Sequence, residues 1–277
     1  MKNAFTVDVE DWFHICGVEG PLAFEHWEQL PSRVEANTRD LLDLLDAYGV
    51  RATFFILGWI AERYPDLVAL ILDAGHEVGA HGFAHRRVYE LTPESFGHDL
   101  ERNVAALTAA GADSVVGFRA PEWSINDRSL WALDVLVRSG FRFDSSMTPL
   151  RIIGNPAYPQ VIHTRRTPAG QITEFPPLVA RRFGQNIPAG GGWGLRMSPP
   201  GTTIREIQRR NRSGDSIALF VHPWELDEDP PPIELRAAHR FVHCFKIAGF
   251  RARLSDVLRH VEFAGMEEIL WPPNRVA

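Results

Sequence analysis

Short apolar runs of strand length alternate with helix-length amphipathic stretches along most of this 277-residue chain, and that alternation constrains the fold more than any single motif. A strand buried on both faces needs a continuous apolar run, and helices must then cover the sheet from outside. Strands are expected at residues 4–7, 52–57, 77–80, 115–118, 141–143 and 217–221. Between them come helices: one opened by the capping box Ser32-Arg33-Val34-Glu35 with Leu41, Leu42 and Leu45 on one face, one from about residue 60 to 74 stopped by Gly75, one from Thr92-Pro93-Glu94 to Gly111, and one at 127–139 closed by Gly140. Residues 145–200 are rich in Pro, Gly and Arg and read as an irregular insertion over the site, with one strand at 172–175. Alternation then resumes with a helix at 203–212, the strand at 217–221, a helix at 233–248, a strand near Phe250 and a last helix from Ser255. The pattern calls for a single α/β domain over 1–277 with a helical C-terminal segment from about 233. A closed or nearly closed barrel fits it, with a doubly wound open sheet as the alternative.

Composition removes several classes of function. The net charge of −6 leaves no basic footprint for nucleic acid, and Arg181-Arg182 and Arg209-Arg210 read as local solvated surface. Cys16 and Cys244 form neither a disulfide framework nor a CxxC pair. The apolar stretch near the N-terminus is too short for a secretory signal, and no segment approaches the roughly 20 apolar residues that span a bilayer. A cytoplasmic protein without a membrane span is the expectation.

Polar residues fall where the strands end. Asp8 follows the first strand, His81 the third, Arg119 the fourth, Asp144 the fifth and His222 a later one. A βα barrel assembles its active site from loops at those carboxyl ends. His81-Gly82-Phe83-Ala84-His85 places two imidazoles where one divalent ion, most naturally zinc, could be gripped. A zinc hydrolase needs a carboxylate ligand and a second, unligated carboxylate as base, and Asp8-Val9-Glu10-Asp11 offers three. Asp8 and Glu10 share one face of an extended chain, and Asp11 joins them if the chain turns after Val9. Arg119, aimed by Pro121, would keep Asp8 ionised, and His222 at the mouth of an apolar strand suits a general acid. Trp123, Trp193 and Trp224 lie near the expected rim, where aromatic faces suit sugar rings, and Gly190-Gly191-Gly192 before Trp193 reads as a flexible flap. The remaining histidines, His14 among them, have no matched partners. His76-Glu77 with His81 misses the HExxH spacing, and no nucleophile elbow or phosphate loop is present.

Taken together, Thr6-Val-Asp-Val-Glu-Asp-Trp-Phe-His14, His81-Gly-Phe-Ala-His85, Phe118-Arg-Ala-Pro-Glu-Trp-Ser124, Phe143-Asp-Ser-Ser146 and Phe220-Val-His-Pro-Trp-Glu225 resemble the polysaccharide deacetylases of the NodB-homology type, carbohydrate esterase family four. The branch found with exosortase systems is the nearest in appearance. The resemblance implies a distorted (β/α)7 barrel and metal-dependent removal of N-acetyl groups from an N-acetylated glycan. By position it implies Asp8 as catalytic base, His81 and His85 as metal ligands, Arg119 as the group positioning the base, Asp144 in the motif bordering the catalytic histidine, and His222 as general acid. Relatives place the metal carboxylate directly after the base or two residues on. Here Val9 intervenes, which favours Glu10 with Asp11 close behind. A same-fold hydrolase of another C–N bond (a ureide or cyclic imide) and a non-catalytic glycan-binding barrel are the alternatives.

Overall fold

The computed structural model describes residues 1–18, 20–231, 241 and 245–272. Its centre is β1 (Asn3–Val9), followed on one side by β2 (Thr53–Ile56), β3 (Glu77–Ala80), β4 (Gly117–Phe118) and β5 (Phe143–Asp144), all parallel. β6 (His163–Thr167) and β7 (Gly170–Glu174) extend that side, β7 parallel to β5 and β6 antiparallel at the edge. A hairpin of β8 (Val179–Arg182) and β9 (Gln185–Pro188) stands apart as a second sheet. β10 (Ala218–Val221) lies along the other side of β1, and the short β11 (Phe263–Ala264) pairs with its start. The sheet curls, because the chain leaving β7 returns to β10: the Leu178 N–H donates to the Ala218 carbonyl (3.0 Å) and the Phe220 N–H to the Gly190 carbonyl (2.6 Å). The result is a mixed sheet rolled into a partial barrel, with helices outside.

Side-chain alternation on β1 decides what the barrel encloses. Phe5, Val7 and Val9 belong to the large core under the helices, whereas Ala4 joins Phe55, Phe143, Phe175, Ala218 and Met266 in a separate interior cluster. Those rings need space that neighbouring strands provide: a Cβ on Gly79 would come within 2.7 Å of the Phe55 ring, and one on Gly117 within 2.1 Å of the Phe143 ring. Above Ala4 on the same face come Thr6, Asp8 and Glu10, so the inner face turns polar towards the strand's carboxyl end. A one-residue slip would send this whole set into the helix layer.

The first half follows its sequence pattern closely, with two local differences. The helix expected from about 60 to 74 is two, α2 (Gly58–Arg63) and α3 (Pro65–Asp73), because Pro65 restarts the chain after Tyr64. The N-terminus of α1 (Val34–Ala47) is not held by a Ser32–Glu35 box. The Asp11 carboxylate accepts from Ser32 Oγ (2.5 Å) and from the N–H groups of Arg33 (3.0 Å) and Val34 (3.3 Å). α4 (Pro93–Ala109) does start with a capping box, Thr92 with Ser95. α5 (Ala132–Arg138) completes this half.

The second half departs more. Residues 145–200 hold four strands, β6 to β9, and the helix α6 (Gly192–Met197), rather than one strand in irregular chain. β6 reads His-Thr-Arg-Arg-Thr because an edge strand with one half-exposed face needs no apolar run. After α7 (Pro200–Arg212) and β10, the helix expected at 233–248 falls mostly outside the described residues. Phe250 begins α8 (Phe250–His260) rather than a strand, its apolar residues Phe250, Leu254, Val257 and Leu258 falling at helical spacing, and α9 (Met266–Leu270) ends the described chain. Among the described residues no helix is long and apolar enough to cross a membrane.

Candidate active site and metal centre

The carboxyl ends of β1 and β3 bring three donor atoms together. Glu10 Oε1 lies 3.1 Å from His81 Nε2 and 2.9 Å from His85 Nε2, and all three residues are buried. Gly82, at φ +75°, turns the chain between the histidines, and His85 itself sits at φ +50°, a strain that ordinary side chains rarely carry. The outer nitrogens are held as well. His81 Nδ1 lies 2.7 Å from the Arg119 carbonyl and His85 Nδ1 3.3 Å from Cys16 Sγ, while Cys16 also donates to the His85 carbonyl (3.0 Å). Burial pushes the Cys16 thiol up. The end of β3 is braced by Asn103 on α4, whose amide accepts from the His81 N–H (3.1 Å) and donates to the Ile56 carbonyl (3.1 Å).

This donor set fits a divalent cation. A carbonyl can only accept, so His81 Nδ1 carries the proton there and its Nε2 presents a lone pair to the shared centre. Two imidazoles and a carboxylate converge on that centre with their ligand atoms all within 4.8 Å of one another. Burial favours the uncharged forms, yet His85 is raised well above the usual imidazole range by Cys16 and Glu10, and Glu10 is lowered by His85, His222 and its hydrogen bonds. The cluster thus carries the electrostatics of a cation site. Of the two open carboxylates, Glu10 meets the histidines, whereas Asp11 caps α1.

Asp8 stands beside this cluster without joining its hydrogen bonds. Arg119 Nη1 donates to Asp8 Oδ1 (2.6 Å) and to Thr6 Oγ1 (2.8 Å), and the rest of the guanidinium binds Ser145 through its carbonyl (3.1 Å) and Oγ (2.9 Å). Arg119 is fully buried, over the Phe55 ring at 4.4 Å and near Trp123 at 4.8 Å. A guanidinium with no freedom left fixes the Asp8 carboxylate in one orientation.

His222 enters from β10. Its Nε2 lies 4.0 Å from Glu10 Oε1, and Asp8, Glu10 and His222 form a second group with ligand atoms within 4.8 Å. Its Nδ1 lies 3.2 Å from Glu225 Oε2, the Trp224 ring stacks on it at 5.0 Å, and Arg196 Nε reaches Glu225 Oε1 at 3.0 Å. Burial lowers the imidazole pKa, but Glu10, Glu225 and Asp8 outweigh it and push it up to about 9. Glu225 and Arg196 were missed in the sequence because nothing local marks a salt bridge across 29 residues. Glu225, three residues after His222 on the same short turn, was the available signal. Nor is the glycine run a flap. A Cβ on Gly191 would fall 2.1 Å from the Phe220 ring, and one on Gly192 1.8 Å from Glu225 Oε2. These glycines are bare so that backbone can pack against the histidine's support.

Asp144 packs under the Arg119 segment, and His222 is not among its hydrogen-bond partners. Its carboxylate accepts from Ser146 Oγ (2.5 Å), which in turn accepts from the Ala120 N–H (2.7 Å), and its strand partner is Glu174. Burial raises Asp144 to about 6 and Glu174 well above the usual carboxylate range, so the two share a proton. The groups acting on His222 are Glu10, Glu225 and Asp8, so the residue bordering the histidine is Glu225. Among the tryptophans, Trp123 and Trp224 are buried against Arg119 and His222, whereas Trp193 is half-buried and packs on Phe241 (5.5 Å) and Phe245 (6.3 Å). His14 does have partners: it is buried against Trp27 (4.2 Å) and accepts from the Asp11 N–H (2.9 Å). It is kept neutral by burial and by His85.

Comparison with known proteins gives this arrangement a lineage. Residues 22–140 match the polysaccharide deacetylase family model, and residues 145–271 match a domain of unknown function, DUF3473. A peptidoglycan deacetylase of Helicobacter pylori is 31% identical over 107 residues, covering 39% of this chain and 36% of its own. A peptidoglycan-N-acetylglucosamine deacetylase of Bacillus cereus is 25% identical over 147 residues, 49% of this chain and 53% of its own. These matches therefore span from about a third to about half of the relatives' length. Among solved structures, a protein of the polysaccharide deacetylase type from Mycobacterium smegmatis superposes with a TM-score of 0.62 at 22% identity, over 96% of this chain and 87% of its own, which shows a shared fold. The polysaccharide deacetylase model thus covers residues 22–140, less than half of the chain, and the superposition extends the same fold over nearly all of it.

Proposed function

We propose that the protein is a divalent-metal-dependent deacetylase that removes N-acetyl groups from N-acetylhexosamine units of a polysaccharide or its oligosaccharide precursor. The observation that carries the reading is the convergence of Glu10 with His81 and His85 beside Asp8 and His222. Glu10, His81 and His85 would hold the ion, with zinc the natural choice for this N/O set. When bound, such an ion supplies electrophilic activation of the acetamide carbonyl and of the attacking water.

The chain's own residues divide the proton work. Asp8, fixed by Arg119, takes the proton of the attacking water as base. His222 acts as general acid toward the departing sugar amine, while Glu225, tied to Arg196, aims its ring. Trp224 stacked on His222 and Trp123 beside Arg119 wall the site, and Trp193 would meet a sugar further out. Both halves of the chain contribute to the same pocket, which supports reading 1–277 as one functional domain. The segments around Asp8 and His222 favour the exosortase-associated branch of the family.

Metal content paired with acetate release from N-acetylhexosamine oligomers tests the reading. One bound ion per chain with metal-dependent acetate release is expected. A protein that binds metal but releases acetate from no oligomer, or that hydrolyses small cyclic imides instead, would overturn it.

A further inference from the structure

Away from the site, a cleft of about 550 Å³ separates the β8–β9 hairpin from α7. Arg181 and Arg182 line one wall, and Arg205, Arg209 and Arg212 line the other. The three on α7 are four and three residues apart, which places them along one helix face. All five are exposed. Among the described residues only Arg209 of the five meets a carboxylate, that of Glu206, and the nearby Asp215 is engaged by Arg210. Cations brought this close repel one another, and the chain as a whole carries a net charge of −6. The concentration of positive charge is therefore local to one face, more than the scattered basic pairs in the sequence implied.

One apolar projection extends the hairpin wall of the cleft, and a second stands on a loop hydrogen-bonded to that hairpin. Phe183, 91% exposed, stands at the hairpin tip at φ +50°, followed by Gly184 at φ +76°. Such a two-residue turn favours Asn or Asp before its glycine, so the turn itself does not call for a phenyl ring. Ile152, 95% exposed, stands on the neighbouring loop between Arg151 and Ile153. Asn186 on β9 ties the two projections together by donating to the Pro149 carbonyl at 2.8 Å. Each tip thus pairs arginine with an exposed apolar side chain, the Arg182 guanidinium lying 5.4 Å from the Phe183 ring centre.

We propose that this face docks on an anionic lipid bilayer, with the arginines on headgroup phosphates and Phe183 and Ile152 in the interfacial layer. Arginine forks read phosphate oxygens bidentately, and charge complementarity commits the surface to an anionic partner. A soluble phosphate compound would use the arginines but leave the two apolar tips without a role. A bilayer uses both. Because β9 runs directly into the Gly190–Gly192 stretch packed on Phe220 and Glu225, docking would hold one wall of the site close to the membrane surface.

Vesicle co-sedimentation of the full chain tests this, with phosphatidylcholine alone or mixed with phosphatidylglycerol. Binding to the mixed vesicles only, weakening with salt, is expected. Arg205→Glu with Arg212→Glu should lower the partition by at least about fivefold per charge removed. Phe183→Ser with Ile152→Ser should lower it by about tenfold, with unchanged circular dichroism and unchanged metal content. Absence of binding to the mixed vesicles at low salt would overturn the proposal. So would full binding by the Phe183→Ser, Ile152→Ser variant, or displacement by inorganic pyrophosphate, which would mark a site for soluble anions instead.

Discussion

Residues 22–140 and residues 145–271 meet at one pocket, yet they build their shares of it by different means. The first region carries regular βα units, and its contributions sit at the ends of parallel strands: His81 and His85 after β3, Arg119 after β4. Local rules place them, and Asn103 on α4 braces the result. The second region contributes His222, but it orients that ring by tertiary contacts between distant segments. Glu225 holds the imidazole, Arg196 from α6 holds Glu225, and Gly192 stays bare to let them meet. The histidine pair thus rests on backbone regularity, and the His222 ring on packing. Variants that separate the two should have separable effects.

The largest effects should fall on the first mechanism. Glu10→Ala should remove both metal and acetate release, whereas Asp11→Ala should retain the metal and lose about 1 kcal/mol of stability with the α1 cap. Metal analysis and thermal melts distinguish them, and a metal-bound Glu10→Ala protein would break the assignment. His222→Ala should cut turnover by about 10²–10⁴ with metal content unchanged. Equal loss of metal would mean that the two regions are not separable. Glu225→Gln and Gly192→Ala should be milder, about 10-fold to 100-fold in kcat, since each disturbs the support of the imidazole and not the imidazole itself.

The smallest effect concerns the Asp144–Glu174 pair on β5 and β7. Both carboxyls are raised in the folded chain, so it binds protons that the unfolded chain releases at lower pH. Stability from this pair is full below the ordinary carboxylate range and is lost as pH rises through about 6, the value for Asp144. From Asp144 alone the loss should be about 3 kcal/mol. Glu174→Gln should flatten denaturation midpoints across that window. An unchanged slope would show that the pair holds no shared proton.

The same contrast explains what could be read in advance. Continuous apolar runs and period-3.6 patterning located the parallel strands and the helices between them, though not their ends (the strand expected at 141–143 is Phe143–Asp144 and the helix expected at 127–139 is Ala132–Arg138), and with them Asp8, His81 and Arg119 at strand termini. The choice between Glu10 and Asp11 needed the turn after Val9, which patterning does not encode. β6 and β8 were illegible because edge and hairpin strands with exposed faces carry arginine and threonine where a buried strand carries valine. Asp144 was placed by motif beside the histidine, but its carboxylate is occupied by Ser146 and Glu174, and Glu225 fills that position. The glycine run suggests mobility in the sequence, but its cause is a lack of room.

Glu10 and Asp11 are adjacent in the chain and anchored to different layers of the molecule, one to the histidines inside and the other to the N-terminus of α1 outside. Two residues earlier, Asp8 is locked by Arg119. In mechanical terms the Glu10 carboxylate is the middle point of a beam clamped at both ends, so its position has the tolerance of the sheet and not of a loop. An ion arriving there would find its carboxylate already set and would have little chain to reorganise.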